Sequence, residues 1–119
     1  MKIRHLRKRE EFAYVLDGKT RKRSSIISLH TRRAGEKEQD LVKVGIIATK
    51  KFVSKAVLRN YIRRVIYEHF RTNKELYSPG AMIVVRITRD LEKEAKRELS
   101  AKVRKELTKL SKELRIIAR

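Results

Sequence analysis

The chain has 119 residues, and its 33 Lys and Arg against 14 Asp and Glu give a formal net charge of +19 at pH 7. This length suits one domain, and its 40% of apolar residues suffice for a modest core. The absence of cysteine excludes disulfides and thiolate zinc sites. Apolar runs of a few residues exclude a membrane-spanning helix, and the basic amino terminus lacks the apolar core of a secretion signal. We therefore expect residues 1–119 to form one soluble, cytoplasmic domain whose charge a polyanion neutralises.

The first half of the chain predicts one short helix followed by strands. Residues 8–16 carry an apolar stripe that stops at Gly18, which is typical of a short helix and its end. Residues 25–31 and 41–48 are rich in side chains that suit a pleated surface and predict two strands. A further short strand near residues 19–24 stays open, and the polar residues 33–40 predict a hairpin loop.

The second half predicts a helix over residues 53–73, a turn at Ser78-Pro79-Gly80 and a buried strand over residues 81–87. A long amphipathic helix then runs from Asp90, its candidate cap, to the end of the chain. Its apolar stripe comprises Leu91, Ala95, Leu99, Val103, Leu107, Leu110, Leu114 and Ile117. The order α-β-β-(β)-α-β-α predicts an α+β domain in which helices pack on a small sheet of three to four strands.

The two long helices carry their charges differently. In the last helix, pairs three or four residues apart, such as Glu92–Lys96, Glu98–Lys102 and Glu106–Lys109, predict a solvated face over a core stripe. In residues 50–71, seven cations face the single acid Glu68. A helical projection places on one half-turn Lys55, Arg59, Asn60, Arg63, Arg64, Tyr67 and Arg71, and on the other Val57, Leu58, Tyr61, Ile62, Val65 and His69. The unrelieved repulsion on the first face favours an external anion as its partner.

No catalytic constellation is visible in the sequence. His5, His30 and His69 lie in different predicted elements and in no metal-ligand spacing. The acids form no two-metal cluster, and no glycine-rich phosphate loop occurs. The sequence predicts a binding protein without catalytic residues or a metal of its own. Asn60 fits a contact to an RNA hydroxyl or base edge and a bond to neighbouring side chains equally well.

Residues 44–71 combine a glycine-containing strand, a Lys-Lys pair, an Ala, an Arg-Asn pair and a further basic pair. The residues at these positions are Gly45, Lys50, Lys51, Ala56, Arg59, Asn60, Arg63 and Arg64. The combination closely resembles the signature of the bacterial ribonuclease P protein subunit, and length, charge and element order match along essentially the whole chain. Tyr61 and Tyr67 stand where that family usually has Arg, and Leu16 occupies a position that is often aromatic.

The resemblance implies a subunit of a ribonucleoprotein endonuclease that removes the 5′ leader from precursor tRNA. In that family the RNA subunit holds the catalytic site, and Mg²⁺ is bound mainly by the RNA and the substrate. We expect no obligate protein partner and no membrane. The residues then expected to bind the catalytic RNA are Lys55, Arg59, Asn60, Arg63, Arg64, Tyr67 and Arg71. Those expected to receive the leader, between the first helix and the sheet, are Phe12, Leu16, His30, Lys43, Lys50, Lys51 and Arg86. The strand–helix–strand crossover is expected to be left-handed.

Other interpretations stay open from the residues alone. Phe12 fits a plain core residue as well as a leader contact. A ribosomal or general RNA-binding structural protein would share the size, the charge and the lack of catalytic chemistry. A DNA-binding module would need a recognition-helix signature that we do not find, and a membrane-surface helix would need Trp or Phe on its apolar face.

Overall fold

The computed structural model describes residues 2–34, 41–92 and 94–116. Within these residues, three helices pack on one five-stranded mixed sheet, which confirms the predicted α+β class. The strands are β1 (Lys2–His5), β2 (Arg21–Arg23), β3 (Ile27–Arg33), β4 (Leu41–Ile47) and β5 (Ala81–Ile87), and the helices are α1 (Arg9–Asp17), α2 (Ala56–Thr72) and α3 (Lys96–Glu113). A single turn of 3-10 helix, Lys74–Leu76, follows α2.

The strands lie in the order β1-β4-β5-β3-β2. β1, β4 and β5 run parallel, and α2 makes the crossover from β4 to β5, whereas β3 pairs antiparallel with both β5 and β2. The predicted hairpin between β3 and β4 is wrong, because the two strands pair with opposite edges of β5. Residues 35–40 of the predicted loop lie outside the described residues. β2 confirms the short strand near residues 19–24. β1 was not predicted and brings the described sheet to five strands, so the predicted three to four strands were too few. The left-handed crossover stays a prediction.

The two faces of the sheet bury different layers of side chains. Alternate residues of β5 point to opposite faces: Ile83 and Val85 belong to the main core beneath α2 and α3, whereas Met82 and Val84 belong to a smaller cluster beneath α1. Phe12 and Leu16 of α1 are half-buried against that smaller cluster. The α1 face therefore has a thin cover, and part of it stays open.

Gly45 of β4 lets α1 lie close to the sheet. A Cβ atom at this position would stand 2.5 Å from Cε1 of Phe12 and 3.0 Å from Cβ of Leu6. Carbon atoms that are not bonded pack at about 3.5–4.0 Å, so a side chain on Gly45 and the observed position of the Phe12 ring are incompatible. The glycine of the sequence signature thus serves the packing of α1.

The last helix begins at Lys96 rather than at Asp90. Leu91 is fully buried, but it lies in the preceding loop, where its N–H donates to the carbonyl of Phe52. Asp90 accepts the N–H of Glu92, which closes a turn and caps no helix. Ala95 is exposed as the residue before the first turn, and Ile117 lies outside the described residues. The helical spacing of apolar residues extends from α3 back to Leu91 because Leu91 packs into the same core as the helix, although it is not helical itself.

Helix α2 buries most of its predicted apolar face, including Leu58, Ile62, Val65 and His69. Val57 is the exception, since 69% of it is exposed although it lies beside the buried Leu58 in the first turn. None of the described helices combines the length and the apolar character that crossing a membrane requires.

Candidate nucleic-acid interface

The uncovered part of the α1 face forms a groove of about 550 Å³, which we call the sheet groove. Its lining residues are Arg21, Lys22, Arg23, Ser28, His30, Phe52, Arg86 and Thr88. The register of the strands explains this grouping, because Arg21 lies opposite His30 in the β2–β3 pair and Ser28 lies opposite Arg86 in the β3–β5 pair. Cations from two strands that are far apart in sequence therefore converge on one concave surface.

His30 brings an unused hydrogen-bonding atom to this groove. The residue is only 6% exposed, and its Nε2 lies 2.8 Å from the Ser28 hydroxyl. Its Nδ1 and the hydroxyl of Thr88 have no hydrogen-bond partner among the described residues. Burial and, after it, the charges of Arg21 and Arg86 lower the pKa of His30. A neutral imidazole with one free ring nitrogen can exchange a hydrogen bond with a ligand.

Phe52 places an aromatic ring in the groove. It is half-buried, it follows the Lys50-Lys51 pair directly, and Nζ of Lys51 lies 5.4 Å from the centre of its ring. An aromatic ring beside cationic side chains is the combination that binds single-stranded nucleic acid. Sequence reasoning missed Phe52, although a Phe directly after a Lys-Lys pair and the basic triplet of β2 were visible signals.

The residues predicted for the leader do not all meet in the sheet groove. His30 and Arg86 line it, Phe12 and Leu16 pack beneath α1, and Lys50 and Lys51 are exposed in the turn after β4. The seventh predicted residue, Lys43, lies in a separate recess.

That recess lies between β1 and the start of α1, and its lining residues include Arg4, Arg7, Lys8, Glu11 and Lys43. Nζ of Lys43 is 2.7 Å from the carboxylate of Glu11. Burial raises the pKa of Glu11, but hydrogen bonds from Lys43 and from the backbone N–H groups of Lys8 and Arg7 outweigh it and leave the pKa below its ordinary value. Lys43 is thus held in an ion pair.

The second basic surface, which we call the α2 basic face, consists of the seven residues predicted to bind RNA: Lys55, Arg59, Asn60, Arg63, Arg64, Tyr67 and Arg71. All are exposed except Arg59 and Tyr67, which are half-buried. Of its cations, only Arg71 forms an ion pair within the described residues, at 2.7 Å from Glu68. Neither Arg63 nor Arg64 has a protein acid to neutralise it in that part of the chain, which leaves both available for an anion.

Arg59 and Tyr67 are bound to the protein itself. One guanidinium nitrogen of Arg59 donates to the carbonyls of Val53 and Ser54, each at 2.8 Å, and so braces the turn before α2. The ring of Tyr67 stacks on His5 with 3.8 Å between centroids, and burial raises its pKa. These two residues shape the α2 basic face as well as belonging to it.

Two acids of the predicted charge pairs bind other segments of the protein instead. Glu92 accepts hydrogen bonds from the Ser54 hydroxyl at 2.8 Å and the Lys55 N–H at 3.0 Å, so it ties the loop before α3 to the residues just before α2. The hydrogen bond from Ser54 is the largest cause of its lowered pKa. Glu106 is buried against the turn between β2 and β3 and does not form the predicted pair with Lys109 on a solvated face.

The sequence matches the family model Ribonuclease P over residues 1–112. The chain belongs to the ribonuclease P protein family. The Ribonuclease P protein component of Nitrosomonas eutropha is 34% identical over 87 residues, which are 73% of this chain and 70% of that protein. The corresponding protein of Chromobacterium violaceum is 33% identical over 70 residues, and the match spans 59% of this chain and 55% of that one.

Solved structures of ribonuclease P proteins share the fold. The RNase P protein of Thermotoga maritima, solved in complex with 1-(4-fluorophenyl)-2-thiourea, is 30% identical with a TM-score of 0.75, covering 88% of this chain and 94% of its own. The RNase P protein of Staphylococcus aureus superimposes with a TM-score of 0.79 at 23% identity, covering 95% and 96% of the two chains. As a ribonuclease P protein component, the chain takes part in a tRNA-processing ribonuclease.

The donor groups of this ribonuclease P protein are suited to anions. Among the described residues, no group of three or more His, Asp or Glu side chains is placed to hold a metal ion. What the fold brings together is cationic: Arg21, Arg23 and Arg86 with Phe52 in the sheet groove, and the α2 basic face on the other side of the sheet. Both surfaces can bind phosphates, and the groove adds the Phe52 ring and two buried polar atoms without hydrogen-bond partners among the described residues.

Proposed function

We propose that the chain binds the catalytic RNA of ribonuclease P through the α2 basic face and the 5′ leader of precursor tRNA in the sheet groove. The observation that carries the proposal is the convergence in this groove of Phe52, Arg21, Arg23 and Arg86 with the unpaired Nδ1 of His30. The RNA carries the catalytic site, and Mg²⁺ is held mainly by the RNA and the substrate. The protein supplies affinity and position for the hydrolysis of one phosphodiester bond.

The groove suits a single strand in three respects. Guanidinium groups pair with phosphates in a bidentate geometry, and Arg21, Arg23 and Arg86 supply three of them. A leader base stacks on the exposed part of Phe52, whose ring tolerates any base. His30 and Thr88 then form hydrogen bonds with a base edge or a 2′-hydroxyl, groups that mature tRNA without a leader does not place there.

The α2 basic face suits a folded RNA partner. Lys55, Arg63 and Arg64 are exposed, and Asn60 between them adds a neutral donor and acceptor for a 2′-hydroxyl. Each phosphate that they neutralise releases counterions, so affinity falls with salt by a logarithmic slope of about 0.7–0.9 per contact. Binding of the catalytic RNA should therefore weaken steeply as salt increases.

Reconstitution tests this function. Wild-type protein is added to a bacterial ribonuclease P RNA at low Mg²⁺, and cleavage and affinity are measured for precursor tRNA with a leader of several nucleotides and for mature tRNA. We expect stimulated cleavage and tighter binding of the precursor. A general RNA-binding protein would give neither result.

Substitution of Phe52 then locates the leader. Phe52→Leu keeps an apolar side chain against the core but removes the ring, so leader-dependent affinity should fall by about 1–3 kcal/mol, the usual range for one stacked base. Phe52→Tyr keeps the ring and serves as the matched control with little expected loss. Full preference for the precursor in Phe52→Leu would remove Phe52 from the leader path.

A further inference from the structure

Helix α3 carries one acid that behaves unlike its neighbours. Glu98 and Glu113 are exposed, whereas Glu106 is only 9% exposed. Its carboxylate accepts hydrogen bonds from three consecutive residues: the hydroxyl of Ser24, the hydroxyl of Ser25 at 3.0 Å and the backbone N–H of Ile26 at 3.2 Å. An acid on a solvated helix face needs no such set of donors, and charge-assisted bonds of this kind are the stronger class of protein hydrogen bond.

These three residues form the turn that joins β2 to β3. β2 is only three residues long, lies at the edge of the sheet and pairs with β3 alone. It carries Arg21, Lys22 and Arg23, all of them exposed, and Arg21 and Arg23 line the sheet groove beside Arg86. A short edge strand is weakly held, and like charges that converge on one groove push it away from the sheet. β2 therefore needs an attachment from outside the groove.

We propose that Glu106 is a positioning residue that fixes the β2–β3 turn from the opposite face of the sheet and thereby holds Arg21 and Arg23 at the sheet groove. α3 packs on the main core, on the face away from α1, so Glu106 touches none of the groove. Lys22, between the two arginines, lies 3.9 Å from Glu113 on the same helix, which adds an exposed and weaker contact. The consequence for RNA rests on the function proposed above, whereas the hold on β2 does not.

Glu106→Gln is the main test, because Gln keeps the shape of the side chain but replaces one accepting oxygen by a donor. Glu98→Gln removes the same charge from an exposed site of the same helix and is the matched control. Backbone amide exchange is followed by NMR in the full chain. Exchange at Ser24 and along β2 should accelerate at least about tenfold in Glu106→Gln, as expected for the loss of one charge-assisted bond, and amides of β5 should keep their protection.

Affinity measurements with the reconstituted catalytic RNA separate positioning from general loss of structure. In Glu106→Gln, the ratio of precursor to mature tRNA affinity should fall at least about fivefold. This is less than the loss of a whole charge-assisted hydrogen bond would cause, because pairing with β3 still keeps the arginines near the groove. Affinity of the protein for the catalytic RNA, which the α2 basic face governs, should stay within twofold of the wild-type value. Glu98→Gln should match the wild type in both quantities.

Ser25→Ala tests the same contact from the other side and replaces Glu106→Gln if that variant does not fold. It removes one of the three donors, so its effects on exchange and on the affinity ratio should lie between those of the wild type and Glu106→Gln. Three outcomes in Glu106→Gln would each overturn the inference. The first is unchanged amide exchange at Ser24 and β2, and the second is faster exchange in β2 with an unchanged ratio of precursor to mature tRNA affinity. The third is an equal loss of affinity for the precursor leader and for the catalytic RNA. A wild-type protein that shows no preference for the precursor would refute the proposed function instead, and amide exchange would still decide whether Glu106 holds β2.

Discussion

Replacing Gly45 by Ala probes how α1 is seated on the sheet. The added Cβ would stand 2.5 Å from Cε1 and 2.6 Å from Cζ of Phe12, and 3.0 Å from Cβ of Leu6. Each of these distances is shorter than ordinary carbon–carbon contact. The Phe12 ring must therefore move, and because it is half-buried at the base of α1, the helix moves with it or the ring turns outward.

The expected cost follows from opposing contributions. Overpacking a well-filled site costs about 1–3 kcal/mol, while replacing Gly by Ala within a strand returns about 0.5–1 kcal/mol. We expect Gly45→Ala to lower the free energy of unfolding by about 1–2 kcal/mol. At about 4 °C per kcal/mol for a chain of this size, the melting temperature should fall by about 4–8 °C.

Thermal and urea denaturation of four variants (Gly45→Ala, Phe12→Leu, their double variant and Gly18→Ala) decides whether the Phe12 ring is the cause. Phe12→Leu lacks the two ring atoms that meet the new Cβ, so in the Gly45→Ala/Phe12→Leu double variant the two losses should be less than additive. Gly18→Ala is the comparison, since a Cβ there would stand 3.1 Å from Cδ of Arg32 and 3.2 Å from the carbonyl oxygen of Val15, longer contacts that should cost less than those at Gly45. Wild-type stability of Gly45→Ala, or strict additivity in the double variant, would refute this account of α1.

Three further outcomes are expected. Acid should destabilise the protein between about pH 6.5 and pH 4, because burial lowers the pKa of His69 from 6.5 to about 4. Over this range the unfolded chain binds a proton that the folded protein does not, so the free energy of unfolding should fall by about 3 kcal/mol as the pH drops toward 4. Urea denaturation of the wild type and of His69→Gln at several pH values checks this. If the difference between their unfolding free energies were the same at every pH, the prediction would be wrong. Arg63→Ala should weaken binding of the catalytic RNA and reduce the slope of log affinity against log salt concentration by about 0.7–0.9. Lys105→Ala on α3 should change neither quantity. Equal titration curves for the two variants would show that only total charge matters. The protein without RNA should leave precursor tRNA intact in Mg²⁺, so RNA-independent cleavage by nuclease-free protein would show that the protein has catalytic residues of its own.

The helices and strands that could be predicted are those whose sequence pattern lies within the element itself. The apolar and β-branched composition of β3 and β5 and the periodicity of α2 are local properties, and all three elements formed close to their predicted ranges. β1 has no such signal, because Lys2–His5 is short and mostly polar and pairs with Leu41–Val44 far along the chain. The pairing of β3 and β4 with β5 is equally non-local, so a hairpin was the natural but wrong expectation.

The same distinction applies to the two candidate surfaces. The α2 basic face lies on one helix, and its pattern of charge was therefore readable from the sequence. The sheet groove is built from four separate segments, so His30 and Arg86 were predicted, whereas Phe52 and the arginines of β2 were not. Glu106 was misjudged for the same reason, because its three donors lie about 80 residues earlier in the chain.

The two edges of the sheet affect how the protein behaves when no RNA is present. β1 and β2 form these edges, and five of their seven residues are Lys or Arg. An open edge offers unpaired N–H and C=O groups to a second chain, and like charges along it oppose such self-association. The arginines of β2, for which we propose a role in leader binding, thus also oppose association between free copies of the protein. This protection is strongest at low ionic strength and fades as salt shortens the range of the repulsion to about 8 Å or less.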